Sequence, residues 1–199
     1  MTPQGRSEAP ELFESRVSGL LVATADASDA RIDEDVQPVL RMLRERMGMD
    51  VVFVSEFAGG QRRLRLVDSA RRPALLEVGM ASPLATSWCQ RVVDARLPEF
   101  IRDAAAMPAS TDLPAPPFRI GTHLSTPIIL RDGTIYGTLC CFSHTVNSEV
   151  GERDLRSLRY TARLLAKMLD QQQVMVQLSR QASPAGFGKS ITSTNRNRA

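Results

Sequence analysis

Three cysteines, two histidines and a single tryptophan carry most of the chemical scope of this 199-residue chain. The cysteines are Cys89, Cys140 and Cys141, and the histidines are His123 and His144. Thiols can act as nucleophiles, redox centres or metal ligands. Here their number is odd and two are adjacent, so no disulfide framework is indicated. There is no CxxC and no HExxH, and the histidines are too few for a structural zinc site. A nucleophilic thiol needs a setting that lowers its pKa. Only Cys89 has a cation close by in sequence, Arg91. The sequence holds no nucleophile elbow, no phosphate-cradling glycine loop and no paired carboxylates for a metal. Gly59-Gly60 is a turn signal rather than a phosphate loop.

Binding offers more candidates than catalysis. Trp88 either packs in a core or stacks on a ligand. Arg91 and Arg96 are either solvated charges or an anion clamp, since a guanidinium presents a bidentate fork. Asp103 either caps the following turn or orients a ligand. His123 and Ser125 lie two residues apart on one strand and so share a face, with Thr122, Leu124 and Thr126 on the other. If the His123 face looks into a pocket, the pair supplies polar handles; otherwise both are surface residues. His144 falls past the strand end, in a loop. Cys140 and Cys141 point to opposite faces, and at least one is expected to be buried as a small apolar side chain.

These residues need elements to hold them. Leu12, Phe13, Val17, Leu20, Leu21 and Ala25 fit a helical stripe from Glu11 to about Ala25. A polar, acidic linker follows. A second helix is expected over Asp33–Met47, with Asp33, Glu34 and Asp35 at the positive end of its dipole and Gly48 as its stop. Residues 49–57 alternate and are rich in β-branched and aromatic types, which predicts a strand. After Gly59-Gly60, residues 63–68 alternate again and complete a hairpin. Ser82 and Pro83 suggest the start of a helix running to about Ala95. Residues 98–101 form a short extended stretch, and MPASTDLPAPP is a loop. Thr122–Leu130, the Asp132-Gly133 turn and Thr134–Phe142 form the clearest hairpin. Pro127 lacks a backbone donor, so its strand must be open on one side there, and Gly137 marks a bulge or the close approach of a neighbouring helix. A last helix is expected over Glu149–Leu178. Its repeat of Leu155, Leu158, Ala162, Leu165 and Leu169 suits either the sheet or a partner helix. Two hairpins with helices at either end predict an α+β fold with an antiparallel sheet.

Composition limits the function classes. Hydrophobic residues make up 43% and charged residues 24%, which fits one globular domain with a genuine core. The formal net charge of +3 comes from the end of the chain. Arg180, Lys189, Arg196 and Arg198 face no acidic residue after position 180, and without them 21 basic residues stand against 22 acidic ones. A neutral body lacks the electrostatic footprint for a nucleic-acid backbone. No stretch approaches a membrane span, and the N-terminus lacks a secretory pattern. The expectation is a cytoplasmic protein with no membrane or nucleic-acid partner and a disordered basic tail over residues 179–199.

At residues 119–143 the residues become recognisable. The string IGTHLSTPIILRDGTIYGTLCCFS resembles the signature hairpin of the GAF domain family. The family shows a strand with Ser and Pro (here Ser125 and Pro127), a D-G turn (Asp132-Gly133), then "hydrophobic-x-Gly-x-Leu" (Ile135 to Leu139). ERDLRSLRYTARLLA resembles the family's closing helix, and SWCQRVVDARLPEFIRDA its mid-domain helix and short strand ending in Asp. The likeness covers residues 33–178, leaving 1–32 as an N-terminal helix and linker. It implies a central antiparallel sheet with the terminal helices on one face. On the other, loops and a helix enclose a small-ligand pocket, under the closing hairpin. It also implies a non-enzymatic sensor in signal transduction, with homodimers formed through the terminal helices. Family ligands include cyclic nucleotides, haem, tetrapyrroles and small metabolites; no cofactor is required by this sequence, and the ligand is unidentified. Most members are fused to an output domain. The body here ends near Arg180, so a separate output protein is expected. The ligand-binding residues expected are Trp88, Arg91, Asp103, His123 and Ser125. Two alternatives stand beside this reading. One is a thiol enzyme of the free methionine sulfoxide reductase type, though that subgroup's surrounding pattern is missing. The other is a ligand-free dimerisation module. Tetrapyrrole attachment at Cys89 lacks the local motifs of that subgroup.

Overall fold

Alternation of apolar side chains in the middle of the chain produces a six-stranded sheet whose two faces bury different sets of residues. In a computed structural model, residues 10–22, 29–71, 74–107, 116 and 118–182 are described. The strands are β1 (Val51–Ala58), β2 (Gln61–Ser69), β3 (Ala81–Pro83), β4 (Phe100–Ile101), β5 (His123–Ile129) and β6 (Ile135–Phe142). Their order is β3-β2-β1-β6-β5-β4, and every neighbouring pair is antiparallel. The helices are α1 (Pro10–Val22), α2 (Asp29–Met47), α3 (Trp88–Val93) and α4 (Glu152–Ala182).

One face of the sheet carries α1, α2 and α4. Val52 and Val54 of β1, Leu66 of β2, Leu124 and Ile128 of β5, and Leu139 and Cys141 of β6 meet Val17, Val36, Leu40, Leu43 and Leu158 there. Leu155, Leu158, Ala162 and Leu165, the repeat along α4, are buried in this same core. The repeat is therefore spent on the chain's own sheet. The opposite face presents Val51 and Phe53, Leu64, and Cys140 and Phe142, packed with Leu76 and Cys89. Adjacent residues of β1 and β6 thus serve different cores, as a period of two requires.

Strand β2 departs from that period. Val54 pairs with Leu66 and Ser55 with Leu64, so Arg65 is an extra residue opposite the junction. This β-bulge puts Leu66 in the helix-side core and Leu64 in the other. Arg62, two residues before Leu64, follows it to the face opposite the helices. A second irregularity, between Ile128 and Ile129, leaves Tyr136 unpaired on β6. Beside it, a Cβ on Gly137 would lie 1.8 Å from the Ser55 carbonyl oxygen, so the close approach is that of a strand backbone and not of a helix. Pro127 pairs with Thr138 of β6, while β4, on the other side, pairs only with His123 and Leu124. The strand is open where the missing N–H would otherwise be needed.

Several boundaries differ from expectation. The second helix begins at Asp29 rather than Asp33 and contains Pro38. The first helix is described from Pro10 to Val22, and its expected end near Ala25 lies outside the described residues. No helix begins at Ser82. Residues 81–83 instead pair with Gln61, Arg62 and Arg63 as an edge strand, followed by a 3-10 turn at Leu84–Thr86. Ser87 is the true cap: its side chain accepts a hydrogen bond from the Gln90 N–H at the start of α3. The last helix begins at Glu152 and runs to Ala182, four residues past Leu178. Residues 1–9, the linker at 23–28, most of the proline-rich loop, and the basic tail from 183 lie outside the described residues.

Candidate functional site

Among the described residues, the face of the sheet away from the long helices is not completely filled. A cavity of about 580 Å3 lies between it, α3, the segment 75–87, and Pro116, Phe118 and Ile120. That volume is within the usual range for small-ligand sites, roughly 300–1,000 Å3. Its walls are mainly apolar and aromatic, with Phe53, Trp88, Phe118 and Phe142 among the lining residues. Phe118 stacks on Phe142 at 5.2 Å and 11°, and Trp88 meets the His123 ring edge-on at 5.2 Å.

Two polar side chains in this wall are incompletely satisfied. His123 is 3% exposed, and its Nδ1 has no hydrogen-bond partner. Burial, with a smaller contribution from the nearby Arg62 charge, pushes its pKa down to about 4. The imidazole is therefore neutral at pH 7, with one ring nitrogen a donor and the other an acceptor. Arg62 lies half-buried beside it, over the Phe53 ring at 5.8 Å. Its Nη1 donates to Cys89 Sγ at 3.8 Å, but its Nε is buried with no partner. No carboxylate pairs with this guanidinium among the described residues. Buried polar groups are almost always hydrogen-bonded, so these two nitrogens are unmet bonding capacity in the wall.

The inner edge of the cavity holds the thiols. Cys89 on α3 and Cys140 on β6 bring their sulfurs to 3.5 Å. Cys140 also meets Ser125 Oγ at 2.9 Å and Thr138 Oγ1 at 3.1 Å, and Thr138 meets Ser55 Oγ at 2.8 Å. The Cys140 hydrogen bond, and then the Arg62 charge, lower the Cys89 pKa to about 6 against the opposing effect of burial. Burial and the neighbouring Cys89 push Cys140 up instead. Cys141 faces the helix-side core against Met47, and burial raises its thiol as well. Among the described residues no group of three or more His, Cys, Asp and Glu could hold a metal ion.

The five residues singled out from the sequence are divided by this geometry. Trp88 and His123 line the cavity. Ser125 shares the cavity-side face of β5 with His123 but is fully buried against Cys140, one layer beneath the lining. Arg91 and Asp103 are not among the lining residues. Asp103 accepts from the Ala105 N–H and caps the turn Ala104–Ala106. Arg96 pairs with Asp94 at 2.5 Å. His144 is not a bare loop residue: its Nδ1 meets the Arg119 carbonyl at 2.9 Å and its ring packs on Phe118 and Phe142. Arg62, the cation among the described lining residues, stands just before the alternating run 63–68, and its face is set by the bulge at Arg65, which the sequence period alone does not show.

Comparison with known proteins agrees with this architecture. The GAF domain of an Acinetobacter phosphoenolpyruvate-protein phosphotransferase superposes with a TM-score of 0.65 at 13% identity, covering 81% of this chain and 93% of the other. The free methionine-R-sulfoxide reductase of Neisseria meningitidis, solved with its substrate, gives a TM-score of 0.66 at 18% identity, covering 85% and 95%. At these identities the likeness shows the fold alone. Diguanylate cyclase DgcP of Escherichia coli (strain K12) is 27% identical over 175 residues, covering 86% of this chain and 49% of that protein. The chain therefore spans about half the length of this curated relative. The family model for the GAF domain matches residues 29–170, which include the whole sheet, α2, α3 and most of α4. The chain belongs to the GAF domain family, whose members are signalling and sensor modules.

Proposed function

We propose that this chain is a non-enzymatic sensor module that binds a small molecule in the cavity and passes the event on through its terminal helices. The observation that carries the reading is the cavity itself, walled by aromatic rings and containing two buried nitrogens, Arg62 Nε and His123 Nδ1, that lack partners. A solid assembly module would fill this volume with side chains. Of the residues expected from the sequence, Trp88 and His123 bind ligand directly. Ser125 fixes the floor beneath them, and Arg91 and Asp103 support the surrounding turns. Binding orders α3, which connects through β6 and β5 to α4. The distal half of α4 exposes Val174, Met175 and Leu178, and α1 exposes Leu12, a supply of apolar surface for a second copy or an output protein. The family and the diguanylate cyclase relative support a signalling output, fused or separate. No helix among the described residues is long and apolar enough to cross a membrane, in keeping with a cytoplasmic sensor. A thermal-shift screen against nucleotides, haem and cellular metabolites tests the reading, because a ligand of the folded state must raise the melting temperature. If nothing in such a screen raises it, the ligand-free dimerisation module takes its place.

A second reading has one observation in its favour. Cys89 and Cys140 are in sulfur–sulfur contact beside a cation, the setting of a reactive thiol pair. A thiol enzyme acting on free methionine sulfoxide would lose all turnover when Cys89, Cys140 and Cys141 are replaced by serine. A sensor would retain ligand binding in the same variant.

A further inference from the structure

We infer that the cavity is built for a planar, aromatic organic acid carrying a single negative charge, with the acid group on Arg62 and a hydrogen-bonding group on His123. The inference rests on the sensor reading and specifies its ligand. Three observations lead to it.

The first is charge. Among the described lining residues Arg62 is the single cationic side chain, His123 is neutral, and there is no carboxylate. A cationic ligand would find no counter-charge. A nucleoside triphosphate would bring several negative charges to one guanidinium, leaving most of them desolvated without a partner. One acid group balances the site. The second is the unfilled hydrogen bonding. Arg62 uses Nη1 on Cys89 and leaves Nε–H buried without an acceptor. A carboxylate or sulfonate oxygen supplies that acceptor and forms a charge-assisted bond. His123 Nδ1, also without a partner, sits in the same wall and takes a second, neutral polar group. The third is shape. Phe53, Trp88, Phe118 and Phe142 present ring surface to the space, which rewards a flat ligand and offers little to a free inorganic anion. The rival account is that Arg62 serves only Cys89, holding its thiol, and that the cavity reads shape without charge.

The single tryptophan, Trp88, lies in the wall and makes the test local. Two dyes of nearly the same size serve as probes: 8-anilinonaphthalene-1-sulfonate, a planar monoanion, and N-phenyl-1-naphthylamine, its uncharged counterpart. Both absorb where tryptophan emits, so quenching of Trp88 reports a bound dye, and the response of that quenching to substitution at Arg62 assigns the dye to the cavity. The expected result is that both quench Trp88 and that the sulfonate binds at least about tenfold tighter. Arg62→Met, which keeps the apolar stem, should remove that advantage and leave the neutral dye unchanged. Arg62→Lys should restore part of it. Circular dichroism melts of each variant establish that it is folded. If neither dye quenches Trp88, the cavity reading itself fails. If both bind equally, or Arg62→Met weakens both alike, the cavity stands and the organic-acid assignment is overturned.

Discussion

Gly137 provides the sharpest test of the packing, because the same substitution elsewhere should have the opposite sign. A Cβ built on Gly137 lies 1.8 Å from the Ser55 carbonyl oxygen, 2.7 Å from its carbon and 3.0 Å from Glu56 Cα. All three are backbone atoms, so no side chain can swing aside. Real Cβ atoms stay beyond 3.0 Å, so Gly137→Ala must open the β1–β6 seam by at least 1.2 Å at that point. A backbone hydrogen bond of about 2.9 Å stretched by that amount is no longer one. Losing two of them in a buried seam, at about 1–3 kcal/mol each, gives a loss of roughly 2–6 kcal/mol. That is a large share of the 5–15 kcal/mol or so that holds a domain together. Gly19, by contrast, is an exposed position in α1 with nothing within 4 Å of a built Cβ. Gly19→Ala should stabilise by about 0.5–1 kcal/mol through helix propensity. Urea unfolding followed by circular dichroism measures both. The midpoint of Gly137→Ala should fall by about 2 M with little change in slope, while that of Gly19→Ala rises. If the two variants unfold at the same midpoint, the strand contact described here is wrong.

The thiols should differ in reactivity. Cys89, lowered to about 6, should be alkylated by iodoacetamide with a midpoint near that pH, while Cys141 stays protected until unfolding. Peptide mass spectrometry reads this, and a midpoint in the ordinary thiol range would contradict it. His123 should make stability fall in acid. Its folded pKa of about 4 lies below the unfolded value of 6.5, so the unfolded chain takes up the proton first. Its share of stability is fully present above 6.5 and is lost down to about 4, up to roughly 3 kcal/mol in all. His123→Gln should flatten that limb, and an unchanged slope would assign the loss to another group. If α4 pairs with a second copy, wild-type protein at micromolar concentration is dimeric by light scattering. Val174→Glu with Met175→Glu then yields a folded monomer, and a monomeric wild type removes the proposal.

Much of the fold was legible because local signals agreed with tertiary demands. The Asp132-Gly133 turn, the alternation in residues 49–57 and the stripe of Val36, Leu40 and Leu43 each pointed to one structure. The misreading at Ser82 has a physical cause. Ser-Pro looks like a helix start, but β2 offered an open edge, and residues 81–83 satisfied their backbone there. The site was harder. Trp88 and His123 were visible as unusual residue types on identifiable elements. Arg62 was one of three arginines in six residues, and only the unpaired Arg65 decides which way it faces. An extra residue in one strand depends on the partner strand's register, which no short window contains. Ser125 was placed on the correct face, but depth below the cavity floor follows from the packing of Cys140 and Cys89, far apart in sequence.

The bulge at Arg65 also separates two inheritances within one hairpin. Beyond it Leu66 and Asp68 answer to the helices, and before it Leu64 and Arg62 face the hollow. Chemistry at the hollow can thus be rewritten at the outer end of β2 while the half that anchors the sheet keeps its sequence. A change of register there would do more than loosen the hairpin. It would turn the guanidinium out of the hollow and leave those walls without the charge of Arg62.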